Sequence, residues 1–249
     1  MITLEQVSKR YGELTAVEAL DLEVRGGEIF GFLGPNGAGK TTTIRMMMGI
    51  LKPTAGRIVL GGYDVERTPE KAKAISGFIP DRPFLYEKLS GSEFLHFVGK
   101  LHHVASEQRQ RRIERLLDYF ELTPRQDELV EGYSHGMKQR LALCAALIHE
   151  PRVLVVDEPM VGMDPRGART LKDLFRSLAE KGATVFLSTH SISVAEELCH
   201  RIGIIQKGRL IACGTMAELH RQANNHDGNL ESVFLQLTHE EVVAATEVR

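Results

Sequence analysis

Hydrophobic and polar positions divide the chain into three stretches with different periodicities. In the first stretch, apolar residues alternate with polar ones over 2–7 and 20–24, which predicts two half-buried strands. The apolar run 28–33 predicts a fully buried strand, and a glycine-rich loop and a helix over 42–51 follow it. We therefore expect the first third of the chain to be mainly β-structure that leads into one helix.

The middle stretch has the periodicity of helices. Ser90 and Glu93 have the spacing of a capping box, and an apolar-rich segment follows them. Between Glu107 and Glu121 the apolar residues recur at intervals of three and four, with charges on the opposite face. A third helix is predicted over 136–149. Three consecutive helices with no strand between them predict an inserted helical lobe.

Strands and helices alternate in the last stretch. This alternation implies a mostly parallel sheet that is covered on both faces, and hence an α/β fold. The predicted elements are strands at 153–156 and 183–187, helices at 169–180 and 194–199, a hairpin over 202–212 and a tail helix at 230–237.

Composition and charge narrow the class of protein. The 249 residues are enough for one large core with a smaller lobe, and 31 basic against 33 acidic residues give no indication of nucleic acid as the main partner. Three widely spaced cysteines form no CxxC pair, which indicates neither a disulfide framework nor a zinc site. No apolar stretch approaches a membrane span of about 20 residues, and the first residues lack the pattern of a signal peptide. We therefore expect a soluble intracellular protein.

The glycine-rich loop carries the clearest chemistry. Residues 34–41, Gly-Pro-Asn-Gly-Ala-Gly-Lys-Thr, match the phosphate-loop pattern GxxxxGK[ST] in the context that pattern requires, after a buried strand and before a helix. The glycines let backbone N–H groups point at phosphate oxygens, and the helix that begins near Gly39 adds its positive dipole end. We expect Lys40 to reach the outer phosphates and the Thr41 hydroxyl to bind Mg²⁺.

Two adjacent carboxylates, Asp157 and Glu158, follow a second buried strand. Taken alone, such a pair is more often the start of a helix. At the carboxyl end of a parallel strand beside a phosphate loop, Asp157 would hold the metal directly or through water, and Glu158 would polarise the attacking water.

Residues 133–140, Tyr-Ser-His-Gly-Met-Lys-Gln-Arg, lie upstream of these carboxylates and resemble the signature loop of ABC-transporter ATPases. Five motifs in the family's order extend the resemblance over about 2–222, and the tail resembles the exporter-type branch. The resemblance implies roles for single residues: Tyr11 stacks on adenine, Ser134 and Gly136 contact a γ-phosphate, Asp164 lies in the D-loop of a dimer, and His190 senses the γ-phosphate.

The chain departs from the family pattern in two motifs. At the signature the family has Ser-Gly-Gly-Gln, whereas this chain has Ser134-His135-Gly136-Met137. His135 adds bulk where the family has a glycine in the signature, a change that the exporter branch often tolerates. Asp81 stands where a glutamine usually ligates Mg²⁺. A carboxylate oxygen is also a hard ligand, but it adds negative charge, so metal affinity and coupling can differ from those of the family.

The resemblance implies a P-loop NTPase fold: a RecA-like core with a mostly parallel sheet and N-terminal antiparallel strands, plus an inserted helical subdomain. The implied core comprises 1–80 and 150–222, the helical subdomain 81–149 and the tail 223–249. ATP and Mg²⁺ are the implied cofactors, with Thr41, Asp81 and Asp157 on the metal. The implied ATP contacts are Tyr11, Gly34, Pro35, Asn36, Gly37, Ala38, Gly39, Lys40, Thr41, Thr42, Ser134 and Gly136.

The implied function is that of an ATP-hydrolysing subunit that powers a separate membrane permease, most like an exporter. The phosphate loop and the signature would have to come from different subunits, so a homodimer or a pair of ATPase subunits would enclose two ATP molecules head to tail. The expected location is cytoplasmic, on the inner face of the cell membrane through the permease, with no nucleic-acid partner.

A non-transport ABC ATPase of translation or DNA repair is the alternative. Translation-type members usually carry two ATPase units and repair-type members a long coiled coil, and neither is present in this sequence. A phosphate-loop kinase would not need the signature at 134–137. We interpret two further groups as solvated helix surface rather than as metal or nucleic-acid sites: His96, His102 and His103, and the basic run of Arg109, Arg111, Arg112 and Arg115.

Overall fold

The computed structural model describes residues 1–160, 163–223 and 230–236. Its strands form two sheets, one antiparallel and one mostly parallel. The strands are β1 (Ile2–Tyr11), β2 (Leu14–Val24), β3 (Ile29–Leu33), β4 (Ala55–Leu60), β5 (Tyr63–Asp64), β6 (Ser76–Ile79), β7 (Val153–Asp157), β8 (Thr184–Thr189), β9 (Arg201–Gln206) and β10 (Arg209–Gly214).

Helices connect most of these strands. The segment 230–236 is also helical, and the last residue of the predicted tail helix, Leu237, lies outside the described residues. The helices are α1 (Lys40–Met47), α2 (Pro69–Ala74), α3 (Gly91–Leu101), α4 (Ser106–Tyr119), α5 (His135–Leu147), α6 (Pro165–Glu180), α7 (Ile192–Leu198) and α8 (Met216–Gln222), with single 3₁₀ turns at Thr123–Arg125 and Val130–Gly132.

The N-terminal sheet, in the order β2-β1-β4-β5, is antiparallel throughout. Strands β1 and β2 are longer than the ranges 2–7 and 20–24 that the alternation of residues predicted. Register shifts interrupt their pairing between Leu4 and Val7 and again between Val7 and Lys9. Each irregularity breaks the period of two, so that alternation is visible in only part of each strand.

The central sheet has the order β10-β9-β3-β8-β7-β6, with parallel pairing from β9 to β6 and an antiparallel edge strand β10. Every residue of β3, β7 and β8 is buried, as expected for parallel strands that are covered on both faces. One face packs against the lobe helices and α6, and the other packs against α1 and the N-terminal sheet. On the second face, the Phe186 ring lies 5.7 Å from that of Phe30 and 5.4 Å from that of Phe32.

Helices α3, α4 and α5 lie between β6 and β7 in the chain, and their apolar faces share one core. The predicted capping box is present at the start of α3. The Ser90 hydroxyl accepts the Glu93 N–H at 3.2 Å, and the Glu93 carboxylate accepts the Ser90 N–H at 2.8 Å. Sequence patterns missed α2 and β6, because elements of six and four residues are too short to show a period. In the part of the chain that the structure describes, no helix has the length and apolar character needed to cross a bilayer.

The interpretation of His102 as solvated helix surface holds only in part, because its side chain is half-buried. Helix α3 ends before it, and the positive φ of His103 (55°) turns the chain there. The His102 ring stacks on the ring of His149, with centroids 3.7 Å apart and planes 9° apart. Two arginines of the basic run are also not simply solvated, because Arg112 and Arg115 both form ion pairs with Glu150.

The stacked, half-buried pair of His102 and His149 predicts a dependence of stability on pH. Nε2 of His149 lies 3.0 Å from the Ser76 carbonyl oxygen, while burial and the neighbouring His102 lower the pKa of His149 to about 4. Between about pH 6.5 and 4 the unfolded chain binds a proton that the folded chain does not. We expect the free energy of unfolding to decrease as the pH falls through this range, by up to about 3 kcal/mol.

The measurement is urea denaturation of the wild-type chain and of His149→Gln at several pH values. Glutamine keeps a donor for the Ser76 carbonyl and removes the titration. The variant should therefore show a flatter pH dependence, and equal slopes in the two proteins would contradict the role of His149.

Candidate active site

The phosphate loop connects β3 to α1 and is packed too tightly for side chains at two of its glycines. A Cβ on Gly34 would lie 2.4 Å from the Ile205 carbonyl oxygen, and one on Gly39 would lie 2.7 Å from the Ala16 carbonyl oxygen. Gly39 also has a φ of +109°, which L side chains rarely adopt. Strands β9 and β2 therefore hold the loop in place from two sides.

Lys40 is the first residue of α1, and its side chain is only 6% exposed. Its ammonium donates to the carbonyl oxygens of Gly34 at 2.7 Å and Pro35 at 3.2 Å. The third neighbour is the carboxylate of Glu158, at 3.5 Å. All three partners are protein oxygens, two from the loop and one from the carboxylate after β7, and phosphate oxygens bound in the loop can replace them.

Asp157 ends β7 with both carboxylate oxygens occupied. One oxygen accepts the Thr41 hydroxyl at 3.0 Å, and the other accepts a short hydrogen bond from the Ser188 hydroxyl. Thr41 and Asp157 thus present two hard oxygen ligands side by side, which suits Mg²⁺. Among the described residues no group of three His, Cys, Asp or Glu could hold a metal ion. Mg²⁺ characteristically uses few protein ligands together with phosphate and water, so this pair fits it.

Glu158 links the phosphate lysine to His190. One carboxylate oxygen faces Lys40, and the other lies 2.9 Å from Nδ1 of His190. The backbone of Glu158 has a φ of +51°, and its N–H donates to the Ser188 carbonyl at 3.2 Å. The neighbouring strand β8 thereby holds an unfavourable backbone conformation that directs the carboxylate into the cleft, where it can act as a base.

One cleft of about 750 Å³ collects most of the predicted site residues. Tyr11 lies at its rim, half exposed, with the Lys9 ammonium 5.2 Å from its ring centre. Asp81 lines the cleft as well, on the loop that leads from β6 towards the lobe. The predicted residues that line the cleft are Tyr11, Asn36, Gly37, Gly39, Lys40, Thr41, Thr42, Asp81, Glu158 and His190.

The signature residues lie elsewhere. Ser134 caps α5 by accepting the Met137 N–H at 3.3 Å, and Gly136 lines a separate cavity of about 260 Å³ together with Asp164. Asp164 caps α6 by accepting the Gly167 N–H at 2.8 Å. Within the described ranges, none of the residues 134–137 lines the phosphate-loop cleft. Val161, and Gly162 of the predicted D-loop turn at 162–165, lie outside the described residues.

Sequence reasoning assigned no role to two residues of the site. Ser188 bonds Asp157 and Glu158 because β8 is the neighbour of β7, and strand order cannot be read from the sequence. Lys207 lines the cleft from the turn between β9 and β10. The dipeptide Lys207-Gly208 indicates a turn but gives no sign of what the turn contacts.

Comparison with known proteins decides the family. The family described as ABC transporter matches residues 17–161, more than half of the chain. This chain belongs to the ABC transporter family. Two relatives are a daunorubicin resistance ATP-binding protein, DrrA3, of Streptomyces coeruleorubidus and a linearmycin resistance ATP-binding protein, LnrL, of Bacillus subtilis. The first is 43% identical over 88% of this chain and 69% of its own length, and the second is 40% identical over 88% and 70%.

Solved structures agree with this assignment. An ATP-binding subunit of an ABC transporter superposes with a TM-score of 0.92 at 32% identity, over 96% of this chain and 99% of its own. A dimeric ATP-binding cassette, MJ0796, bound to ADP and phosphate superposes with a TM-score of 0.78 at 25% identity, over 87% and 99%. The predicted family, the P-loop NTPase fold and the ATP-hydrolysing activity are confirmed. The alternative in translation or DNA repair has no support among these matches.

The contacts of Lys40 and Glu158 predict separable defects in binding and hydrolysis. Glu158→Gln keeps the shape of the side chain but removes the base, so ATP should still bind while kcat decreases by at least about 100-fold. Lys40→Ala removes a buried ammonium that phosphate would contact, so the Kd for ATP should increase by at least about tenfold. Calorimetric titration and phosphate release measure the two effects.

Glu180→Gln is the matched control, because it makes the same change on the exposed end of α6. It should leave both constants unchanged. Hydrolysis by Glu158→Gln at the wild-type rate would show that another group activates the water.

Proposed function

We propose that this chain hydrolyses ATP at the interface of two such subunits and thereby powers a separate membrane permease that exports its substrate. The observation that carries the proposal is the division of the site. The cleft holds the phosphate-binding and water-activating groups, whereas Ser134 and Gly136 lie outside it. The names of relatives support export: the two above are resistance proteins, and another, from Paraburkholderia xenovorans, is a Nod factor export ATP-binding protein.

The proposed binding step exchanges the partners of Lys40. Its ammonium leaves the carbonyl oxygens of Gly34 and Pro35 for the outer phosphates of ATP. The backbone N–H groups of the loop and the N-terminal end of α1 complete the phosphate site. Thr41 and Asp157 would hold Mg²⁺, with Asp81 facing the same cleft, and the metal would neutralise charge on the phosphates.

The same exchange prepares hydrolysis. When phosphate takes the ammonium of Lys40, one carboxylate oxygen of Glu158 loses its cationic neighbour and can accept a proton from the attacking water. The other oxygen stays 2.9 Å from Nδ1 of His190, which orients the carboxylate. Nucleotide binding and base activation are therefore coupled through one ion pair.

The second half of the site is proposed to come from a partner subunit. Ser134 lies at the N-terminal end of α5, where its hydroxyl and the backbone of Gly136 can approach a phosphate. Asp164 shares a cavity with Gly136, which puts the signature and the D-loop on one face. The dimeric cassette among the structural relatives supports an arrangement in which this face covers the nucleotide of the partner.

A groove on the opposite side of the Asp81 loop supports the permease partner. It has a volume of about 410 Å³ and apolar walls from both the core and the lobe. Ile50 (63% exposed) and Phe84 (84% exposed) are large apolar residues left in solvent there. Apart from two histidines, Lys73 is the only titratable residue among the described residues that line it. The proposed occupant is a short helix of the permease with an apolar face.

The groove is close in sequence to the catalytic cleft. Only two residues separate Phe84, in the groove, from Asp81, in the cleft. Movement of a helix in the groove would therefore shift a proposed metal ligand. The loop 81–84 would in this way connect the permease to the ATPase site. Binding to the permease would keep the chain at the cytoplasmic face of the cell membrane.

Asp81 should control the metal dependence. Asp81→Ala removes an oxygen ligand, so the Mg²⁺ concentration for half-maximal ATPase should rise roughly tenfold. Nucleotide binding without Mg²⁺ should stay nearly intact. Asp81→Gln restores the residue of the family pattern and should recover most of the affinity, and Arg82→Ala is the neighbouring control. An unchanged Mg²⁺ dependence in Asp81→Ala would remove this residue from the metal site.

Two inactive variants should complement each other if the sites are composite. Lys40→Ala damages a phosphate loop, and Ser134→Arg damages a signature. In the mixed dimer one site receives both lesions and the other receives neither, so partial ATPase activity should return. Phosphate release on mixing, with light scattering to follow dimer formation, tests this. A mixed dimer that forms but stays inactive would argue against composite sites. A Glu158→Gln chain that stays monomeric at saturating ATP would argue against the head-to-tail dimer.

Membrane attachment should depend on the groove. Phe84→Asp inserts a charge into an apolar contact, so the fraction of chain that sediments with membranes of the producing cell should decrease on the order of tenfold. Leu129→Asp alters another exposed apolar residue outside the groove and should sediment like the wild-type chain. Equal sedimentation of the three proteins would argue against this docking surface, provided that thermal unfolding shows all of them folded.

A further inference from the structure

The turn between β9 and β10 is fixed directly to the phosphate loop. The Gly208 N–H donates to the Ala38 carbonyl at 2.9 Å, and the Gly208 carbonyl accepts the Glu18 N–H at 2.9 Å. A Cβ on Gly208 would lie 2.8 Å from the Ala16 carbonyl oxygen, so only glycine fits between the loop and β2. The turn therefore has a defined position relative to bound phosphates.

Lys207 precedes this glycine and extends into the cleft. Its φ is +46°, a left-handed conformation that favours Gly or Asn over lysine. The side chain is exposed and forms no ion pair or hydrogen bond with any described residue. By contrast, the next cation, Arg209, binds the Glu18 carboxylate through two hydrogen bonds of 2.9 Å.

The charges of the cleft leave Lys207 as an available cation. Lys40 is occupied by two carbonyl oxygens and Glu158, while Asp81 and Glu158 add negative charge to the lining of the cleft. An ammonium that lines a phosphate-binding cleft without a carboxylate partner complements an anionic ligand.

The position of the turn indicates which part of the nucleotide Lys207 meets. In the proposed function the outer phosphates would lie at Lys40, and the base would lie towards Tyr11 if that residue stacks on adenine. Gly208 contacts Ala38 of the loop and approaches Ala16 of β2, which also lines the cleft beside Tyr11. The turn is thus between the two ends of the cleft, where the ribose joins the α-phosphate.

We propose that Lys207 is a nucleotide-binding residue whose ammonium contacts the α-phosphate end of ATP. This inference rests on the proposed function of the cleft and adds a contact to it. Because ATP and ADP share the α-phosphate, the contact increases affinity for both to the same degree. It differs in this respect from Lys40, which acts on the outer phosphates.

The test compares Lys207→Asn, Lys207→Arg and the wild-type chain by calorimetric titration with ATP and with ADP. Asparagine tolerates the left-handed conformation and removes the charge, so the turn should keep its fold, which thermal unfolding checks. We expect the Kd of Lys207→Asn to increase by about three- to tenfold for both nucleotides, given the exposure of the ammonium. Lys207→Arg keeps the charge and should stay within about twofold of the wild-type Kd.

Lys181→Asn is the matched control, since Lys181 is exposed at the end of α6 and away from the cleft. It should bind both nucleotides like the wild-type chain. Raising the salt concentration should weaken binding to the wild-type chain more than to Lys207→Asn, because the variant has lost a charged contact.

Two results would overturn the inference. A Kd for Lys207→Asn within twofold of the wild-type value would show that the ammonium makes no contact, and a loss restricted to ATP would move the contact to the γ-phosphate. If the wild-type chain itself bound neither nucleotide, the proposed function would fail instead, since that measurement does not involve Lys207.

Discussion

The parallel pairing of β3, β8 and β7 is the constraint on which the rest of the site depends. Leu33 pairs with Thr189, and Asp157 pairs with Ser188, so the three strands end at one edge of the sheet. The phosphate loop, the adjacent carboxylates and the histidine each follow one of these ends. Hydrogen bonds between the ends, rather than within one motif, orient the carboxylates: the Ser188 hydroxyl and carbonyl hold Asp157 and Glu158.

The contacts of Lys40 join binding to chemistry. A buried ammonium needs partners, and without nucleotide it takes them from its own loop and from Glu158. The same carboxylate also contacts His190, so one side chain connects the phosphate lysine to the histidine. In the proposed mechanism, the Glu158 carboxylate can accept a proton only after a phosphate has replaced it as the partner of Lys40.

Patterns in the sequence predicted those parts of the molecule that depend on local spacing. The phosphate loop, the strand before Asp157 and the helices of the lobe each follow from residues close together in the chain. Long-range contacts were not predictable in this way. The register shifts in β1 hide its alternation, the order of β7 and β8 gives Ser188 its role, and the stacking of His102 on His149 joins two residues that are distant in the chain. Lys207 was missed for the same reason, since its neighbour Gly208 contacts residues more than 160 positions earlier.

The two neighbours of β3 have a consequence for synthesis of the chain. Strand β3, residues 29–33, pairs only with β8 and β9, which end at residues 189 and 206. A ribosome must therefore make most of the protein while a fully apolar strand has no partner on either side. Pairings of such long sequence separation form late and leave hydrophobic surface open to aggregation. The nascent chain thus has an interval in which a chaperone would be useful, and that interval closes only after β9, which ends at residue 206, has been translated and can pair with β3.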